Sequence, residues 1–348
     1  MTRQIDVGGI KIGGGAPISV QSMTNTDTRD FEATKNQIFA LAGAGCEIVR
    51  VSVYDMDCAK NVCALVDASP VPLVADIHFD HKLAIAAIEG GIAKVRINPG
   101  NIGGEAKVKA LADCLKMHRI PVRIGVNTGS IEREILQKYG GPTAEGMVES
   151  ALNHAKMLTD CGFDDICLSM KASSVPLTVE AYQLANDACD FPLHVGVTEP
   201  GEPGMGNIKS AIGIGALLLG GIGDTIRVSL SGDPVPEVEA GLSILRACGI
   251  RKDYVDIVAC PTCGRTCIPV ADIATKVRAA TSDIRKPLKV AVMGCVVNGP
   301  GEAREADLGI AGGANGGALF VKGEQPQAVR GDLAEILIAE IRKREASL

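Results

Sequence analysis

The sequence predicts an α/β protein: a (β/α)8 TIM-type barrel over residues 1–250, followed by a small α+β domain over residues 251–348. Three observations lead there. Eight short runs of apolar and β-branched residues recur between Ile18 and Leu230, each closing on polar residues or glycine. Segments with helical patterning separate them, and eight strand–helix alternations are the rhythm of a parallel sheet closed on itself. After about residue 250 the rhythm stops. A doubly wound open sheet is the competing architecture, and eight units favour closure.

In chain order the strand-like runs are Ile18–Met23, Glu47–Val53, Pro72–Phe79, Lys94–Asn98, Pro121–Asn127, Asp165–Met170, Pro192–Val197 and Thr225–Leu230. Helix-like segments between them include Phe31–Ala44, Leu83–Glu89, Glu105–Met117, Glu145–Thr159 and Val235–Ala247. A linker is expected at Gly249–Tyr254. Beyond it come a cysteine cluster, a helix over Val270–Ala280 and a strand over Lys289–Met293. A glycine-rich stretch (Gly309–Gly317), a strand over Ala318–Val321 and a charged helix over Gln327–Arg344 complete the tail.

Composition narrows the function. Hydrophobic residues at 46% against 22% charged residues allow a sizeable core, which excludes a disordered chain. The net charge is 35 − 41 = −6, and with no Trp, four Tyr and six Phe there is neither a basic face nor a stacking platform for bases. Nucleic acid is therefore not an expected partner. Ala211–Gly223, the longest uncharged apolar stretch, is too short and too glycine-rich to span a bilayer. MTRQIDVGG at the N-terminus lacks an apolar core of the secretory kind, so a cytoplasmic protein is expected, with its 12 cysteines reduced.

Polar residues recur at the C-terminal ends of the barrel runs, where barrel enzymes place their active sites. They are Arg50, Asp76 and His78, Arg96 and Asn98, Arg123 and Asn127, Ser169 and Lys171, His194 and Glu199, and Arg227 and Ser229. Any one arginine there is explained as well by a salt bridge to a neighbouring carboxylate. Arg50, Arg96, Arg123 and Lys171 together are harder to dismiss, because clustered cations repel unless an anion joins them. Arginine forks suit phosphate oxygens and lysine adds a point charge, so a multiply charged anion such as a diphosphate is inferred. No Walker motif or dinucleotide fingerprint is present.

A second signal is Cys260-Pro-Thr-Cys263-Gly-Arg-Thr-Cys267, followed by Cys295 in GCVVNGPGE. A C-x2-C turn aims two thiolates at one metal centre, and Cys295 is the candidate third. Zinc and iron–sulfur clusters both use this spacing, and the residues alone leave the choice open. The remaining eight cysteines lie singly within βα units and are expected to be small buried residues.

The stretches SVQSMTNT, RVSV, ADIHF, RINPGNIG, RIGVN, LSMKAS, GVTEPG, GIGDTIRVSL, CPTCGR and GCVVNGPGEA carry a further reading. In that order they resemble the bacterial-type 4-hydroxy-3-methylbut-2-en-1-yl diphosphate synthase family, and the resemblance covers essentially the whole chain. It implies one [4Fe–4S] cluster per chain, held by Cys260, Cys263, Cys295 and Glu302. It also implies a diphosphate bound by Arg50, Arg96, Arg123 and Lys171, with Asn127 and Ser229 as neutral partners, Glu199 as acid/base, and Asp76, His78 and Asn98 lining the pocket. The implied reaction is reductive opening and dehydroxylation of 2-C-methyl-D-erythritol 2,4-cyclodiphosphate. Electrons would come from flavodoxin or ferredoxin, and a homodimer would share its active sites between chains. The alternative is a non-redox barrel for a phosphorylated or pterin-like ligand with a structural zinc on Cys260, Cys263, Cys267 and Cys295.

Overall fold

A computed structural model describes residues 1–295, 297, 301, 305–313 and 315–347. The chain forms two compact units, Met1–Ile250 and Arg251–Leu348.

The first unit opens with a hairpin of β1 (Ile5–Val7) and β2 (Ile10–Ile12). Eight parallel strands follow: β3 (Ser19–Met23), β4 (Ile48–Ser52), β5 (Leu73–Asp76), β6 (Lys94–Ile97), β7 (Val122–Asn127), β8 (Ile166–Lys171), β9 (His194–Val195) and β10 (Thr225–Ile226). Their order in the sheet is β8-β7-β6-β5-β4-β3-β10-β9. A single bridge between Leu168 and Leu193 brings β8 back to the β9 edge. Buried Tyr182 reinforces that seam: its hydroxyl accepts from the Met170 amide (3.2 Å) and donates to the His194 carbonyl (2.5 Å). The sequence runs are longer than the last two strands because their ends depart from ladder geometry at the site.

Around the sheet run α1 (Phe31–Gly43), α2 (Met56–Ala68), α3 (His81–Glu89), α4 (Pro99–Ile102), α5 (Glu105–His118), α6 (Arg133–Tyr139), α7 (Ala144–Thr159), α8 (Val175–Ala188), α9 (Met205–Leu219) and α10 (Val235–Ala247). Asp30, Asp55, Asp80, Thr143 and Ser174 each accept from a first-turn amide and start their helices cleanly. The main core lies between strands and helices. A smaller one joins Ile5, Val7 and Ile12 of the hairpin to Ile48, Val74 and Cys167, so the hairpin floors the barrel. No helix among the described residues is long and apolar enough to cross a membrane.

The second unit is a five-stranded sheet: β11 (Val255–Ala259), β12 (Leu288–Met293), β13 (Leu308–Gly313), β14 (Gly316–Val321) and β15 (Gln327–Val329), parallel up to β13 and antiparallel beyond. Helices α11 (Val270–Ala280) and α12 (Leu333–Ser347) pack one face of it. One expectation is corrected here, and two segments left without an assignment prove to be strands. The glycine-rich stretch contributes to the paired strands β13 and β14. A side chain at Gly309 would sit 2.7 Å from the Ala291 carbonyl, so glycine is what lets β13 approach β12. The expected helix over Gln327–Arg344 begins only at Leu333, because Gln327–Val329 pairs with β14. Val255–Ala259, directly after the expected linker Gly249–Tyr254, is a strand.

Candidate active site

Parallel register partners face the same side of a sheet, so the barrel's inner wall follows from the pairing. Asp76 on β5, Arg96 on β6 and Arg123 on β7 are consecutive partners, and Asn127 pairs with Lys171 four residues, two pleat repeats, further along. These residues line a cavity of about 170 Å³ together with Arg50, His78, Ser169, Thr198, Arg227 and Ser229. The structure brings most of the residues singled out at the strand ends together at this one cavity.

Two cations share one carboxylate. Arg96 Nη1 donates to Asp76 Oδ1 at 3.1 Å, and Arg50 Nε lies 3.5 Å from Asp76 Oδ2. Burial opposes ionisation of Asp76, but the charges of Arg50, Arg96 and Arg123 outweigh it and hold the carboxyl well below the usual range. Arg96 Nη1 also donates to the His78 ring (3.1 Å at Nε2), and burial keeps that imidazole below its ordinary pKa. Arg227 is held by buried Glu237 at 3.2 Å, which also accepts from Ser22 and the Leu230 amide.

Arg123 and Lys171 stand differently. Among the described residues no carboxylate lies within ion-pair distance of either. Arg123 is buried with Nε and Nη1 unpartnered, and burial lowers its pKa to about 10. Burial, followed by repulsion from Arg123, Arg227 and Arg50, lowers Lys171 well below its ordinary value. Five cations against Asp76 and Glu237 leave an excess of 5 − 2 = +3 in a dry mouth. An anion with several oxygens is what this arrangement can bind.

Sequence reading missed what makes room for the cations. A Cβ on Gly125 would stand 2.8 Å from Arg96 Nε. One on Gly196 would stand 2.7 Å from Lys171 Nζ and closer still to the Arg227 carbonyl. Thr198 was also missed, although it stands beside Glu199 in the quoted GVTEPG. Three expected residues, Asn98, His194 and Glu199, lie off the cavity wall, His194 being fully buried. Asn98 is buried with both side-chain amide atoms unpartnered, and Glu199 is exposed, one residue past Thr198, with a left-handed backbone (φ 49°).

In the second unit the cysteines gather at one sheet edge. Cys260 follows β11, and its amide donates to the Val292 carbonyl on β12 at 3.0 Å. Thr262, in the left-handed region at φ 61°, turns the chain between Cys260 and Cys263. The Cys263 amide donates to Thr266 Oγ1 at 3.0 Å, and the Cys267 amide to the Gly294 carbonyl at 2.8 Å, next to Cys295. Cys260 and Cys295 are half-buried while Cys263 and Cys267 are exposed. Soft sulfur donors at the ends of adjacent parallel strands fit an iron–sulfur cluster or zinc. Among the described residues no three Cys, His, Asp or Glu side chains already converge as a ligand set. Glu302 lies outside the described residues.

The GcpE TIM-barrel domain matches residues 2–242, and the GcpE protein C-terminal domain matches residues 256–343. A protein of Caldanaerobacter subterraneus subsp. tengcongensis, named 4-hydroxy-3-methylbut-2-en-1-yl diphosphate synthase (flavodoxin), is 57% identical over 99% of this chain and 97% of its own length. Its namesake from Geobacter sulfurreducens is 56% identical over 98% of this chain and 97% of its own. Among solved structures, a dihydropteroate synthase from Stenotrophomonas maltophilia superposes with a TM-score of 0.52 at 12% identity, covering 71% of this chain and 98% of that one; this likeness shows the barrel fold alone. Both domains match in order across nearly the whole length, and the chain belongs to the GcpE family.

Proposed function

We propose that this chain catalyses the two-electron reductive ring opening of 2-C-methyl-D-erythritol 2,4-cyclodiphosphate. The substrate takes up two electrons and two protons, loses one water and leaves as 4-hydroxy-3-methylbut-2-en-1-yl diphosphate. The observation that carries the reading is the unneutralised pair Arg123 and Lys171 beside Arg50 and Arg96 in a chain 57% identical to a synthase of that name.

Arg123 offers its fork, and Lys171 a point charge, to the diphosphate oxygens. Asp76 holds Arg50 and Arg96 in place so that little reorientation is needed when substrate arrives. Asn127 and Ser229 add neutral hydrogen bonds. Glu199 protonates the departing hydroxyl, a poor leaving group otherwise. Cys260, Cys263, Cys295 and Glu302 would hold one [4Fe–4S] cluster per chain, which would supply electrons drawn from a flavodoxin or ferredoxin. The protein works in the cytoplasm as a homodimer whose active sites are shared between chains.

Replacing Arg123 by Lys keeps the charge and loses the fork. Substrate binding by the anaerobically purified enzyme should weaken at least tenfold, about 1.4 kcal/mol, while the cluster's absorption is kept. Wild-type affinity in Arg123→Lys and in the Ala variants of Arg50, Arg96 and Lys171 would overturn the assignment. Zinc in place of iron in the purified protein would do the same for the reaction.

A further inference from the structure

Beneath the cations of the mouth lies a lysine that the reading above does not use. Lys94 pairs in register with Val74, a floor residue, so it stands on the inward face of β6. It is fully buried, and its Nζ has no hydrogen-bond partner. The groups that face it are Arg50 from β4, Arg123 from β7, Cys167 from β8 and His194 from β9. Asp76 is held by Arg50 and Arg96, and Asp224 accepts from Thr2 and the Leu193 amide. Among the described residues no carboxylate pairs with Lys94. Cys167 is the one of these neighbours that favours the charged amine, and burial pushes its thiol up to about 11; among the described residues both ring nitrogens of buried His194 are unpartnered.

An amine so placed is a poor site for a charge while the mouth is empty. We propose that Lys94 is a proton acceptor coupled to ligand binding: when a diphosphate enters the mouth at mildly alkaline pH, the unprotonated Lys94 amine takes a proton from solvent, and the ammonium stabilises the bound anion from below. This rests on the diphosphate reading of the mouth. Two negative charges arrive and a proton follows them, while Arg123 both lines the cavity and faces the amine. Burial lowers the Lys94 pKa to about 8, which places the uptake within reach of ordinary buffers. A cyclic diphosphate has one strongly acidic oxygen on each phosphorus, so the ligand does not titrate in that range.

The test is calorimetric binding of the cyclic diphosphate to the cluster-loaded enzyme without reductant, in buffers of different ionisation heat. At about pH 8.5 wild type should take up at least half a proton more than Lys94→Met, and at about pH 6.5 the two should agree. Lys94→Gln serves as the second variant should Lys94→Met fail to fold. Equal uptake by wild type and variant at the higher pH overturns the proposal while leaving the diphosphate site intact. No binding heat in wild type at either pH overturns the diphosphate reading, and the role of Lys94 with it.

Discussion

Arg96 and Asp76 are register partners on adjacent strands, and their side chains meet at 3.1 Å inside the barrel rather than on its surface. That contact ties the sheet's pairing to the chemistry of the mouth. Asp76 is the carboxylate between two arginines, and a third, Arg123, is the next partner along the row.

Asp76→Asn should therefore destabilise the free protein by about 3–5 kcal/mol, since it leaves buried guanidinium groups without their counter-charge. An added diphosphate should restore much of the lost melting temperature. The sign with pH follows from the depressed carboxyl: the wild-type contribution is complete above about pH 4 and fades only as acid protonates Asp76. A variant that melts like wild type without ligand would show the pair to be energetically idle.

Gly196→Ala places a methyl group on Lys171 Nζ and on the Arg227 backbone. The lysine can move, but the carbonyl of the adjacent chain segment cannot without parting the sheet near its seam. The expected cost is about 1–3 kcal/mol of stability, with a larger loss of anion affinity because Lys171 is displaced. Calorimetric unfolding and ligand titration on the same preparation check both parts; unchanged affinity would place Lys171 outside the site.

Glu199→Gln should keep ligand affinity and cluster absorption and lower turnover by about 10²-fold. Glu199 stands beside the cavity wall rather than on it, so a loss confined to affinity would instead make it a binding residue. Single-turnover measurements with chemically reduced enzyme separate the two outcomes.

Cys267→Ser should retain four irons per chain and most of the activity, and Glu302→Ala should bind the cluster less stably and lose turnover. Carboxylate oxygen is a harder and more exchangeable donor to iron than thiolate, which suits a site that must admit substrate. Iron counts and electron paramagnetic resonance read both variants. The reverse pattern would move Cys267 into the ligand set.

Much of this was legible in order along the chain. Eight apolar runs ending in polar residues mark a barrel because a buried parallel strand must be apolar along its length, and polarity at its end needs a reason. The same logic singled out Arg50, Arg96, Arg123 and Lys171, and C-x2-C marked a candidate metal-binding turn. The short hairpin Ile5–Ile12 went unread because three-residue strands carry too little periodicity to register. Gly309–Gly317 carries no strand signal in the sequence because glycine is a weak strand former, and only the proximity of β12 turns its missing side chain into an advantage.

What the sequence by itself determined is the inventory: which charges stand at strand ends, and which thiols share a turn. The tertiary structure alone decided which of those charges are neutralised. Asp76 lies 20 residues before Arg96, and Glu237 lies 10 after Arg227. Neither distance predicts a contact, because the pairing depends on sheet register and on how a helix returns to the barrel. It also decided that, among the described residues, Arg123, Lys171 and Lys94 have no carboxylate partner. Coulombic energy in a dry interior depends on separations of a few ångströms, which are set by closing the sheet and not by spacing along the chain.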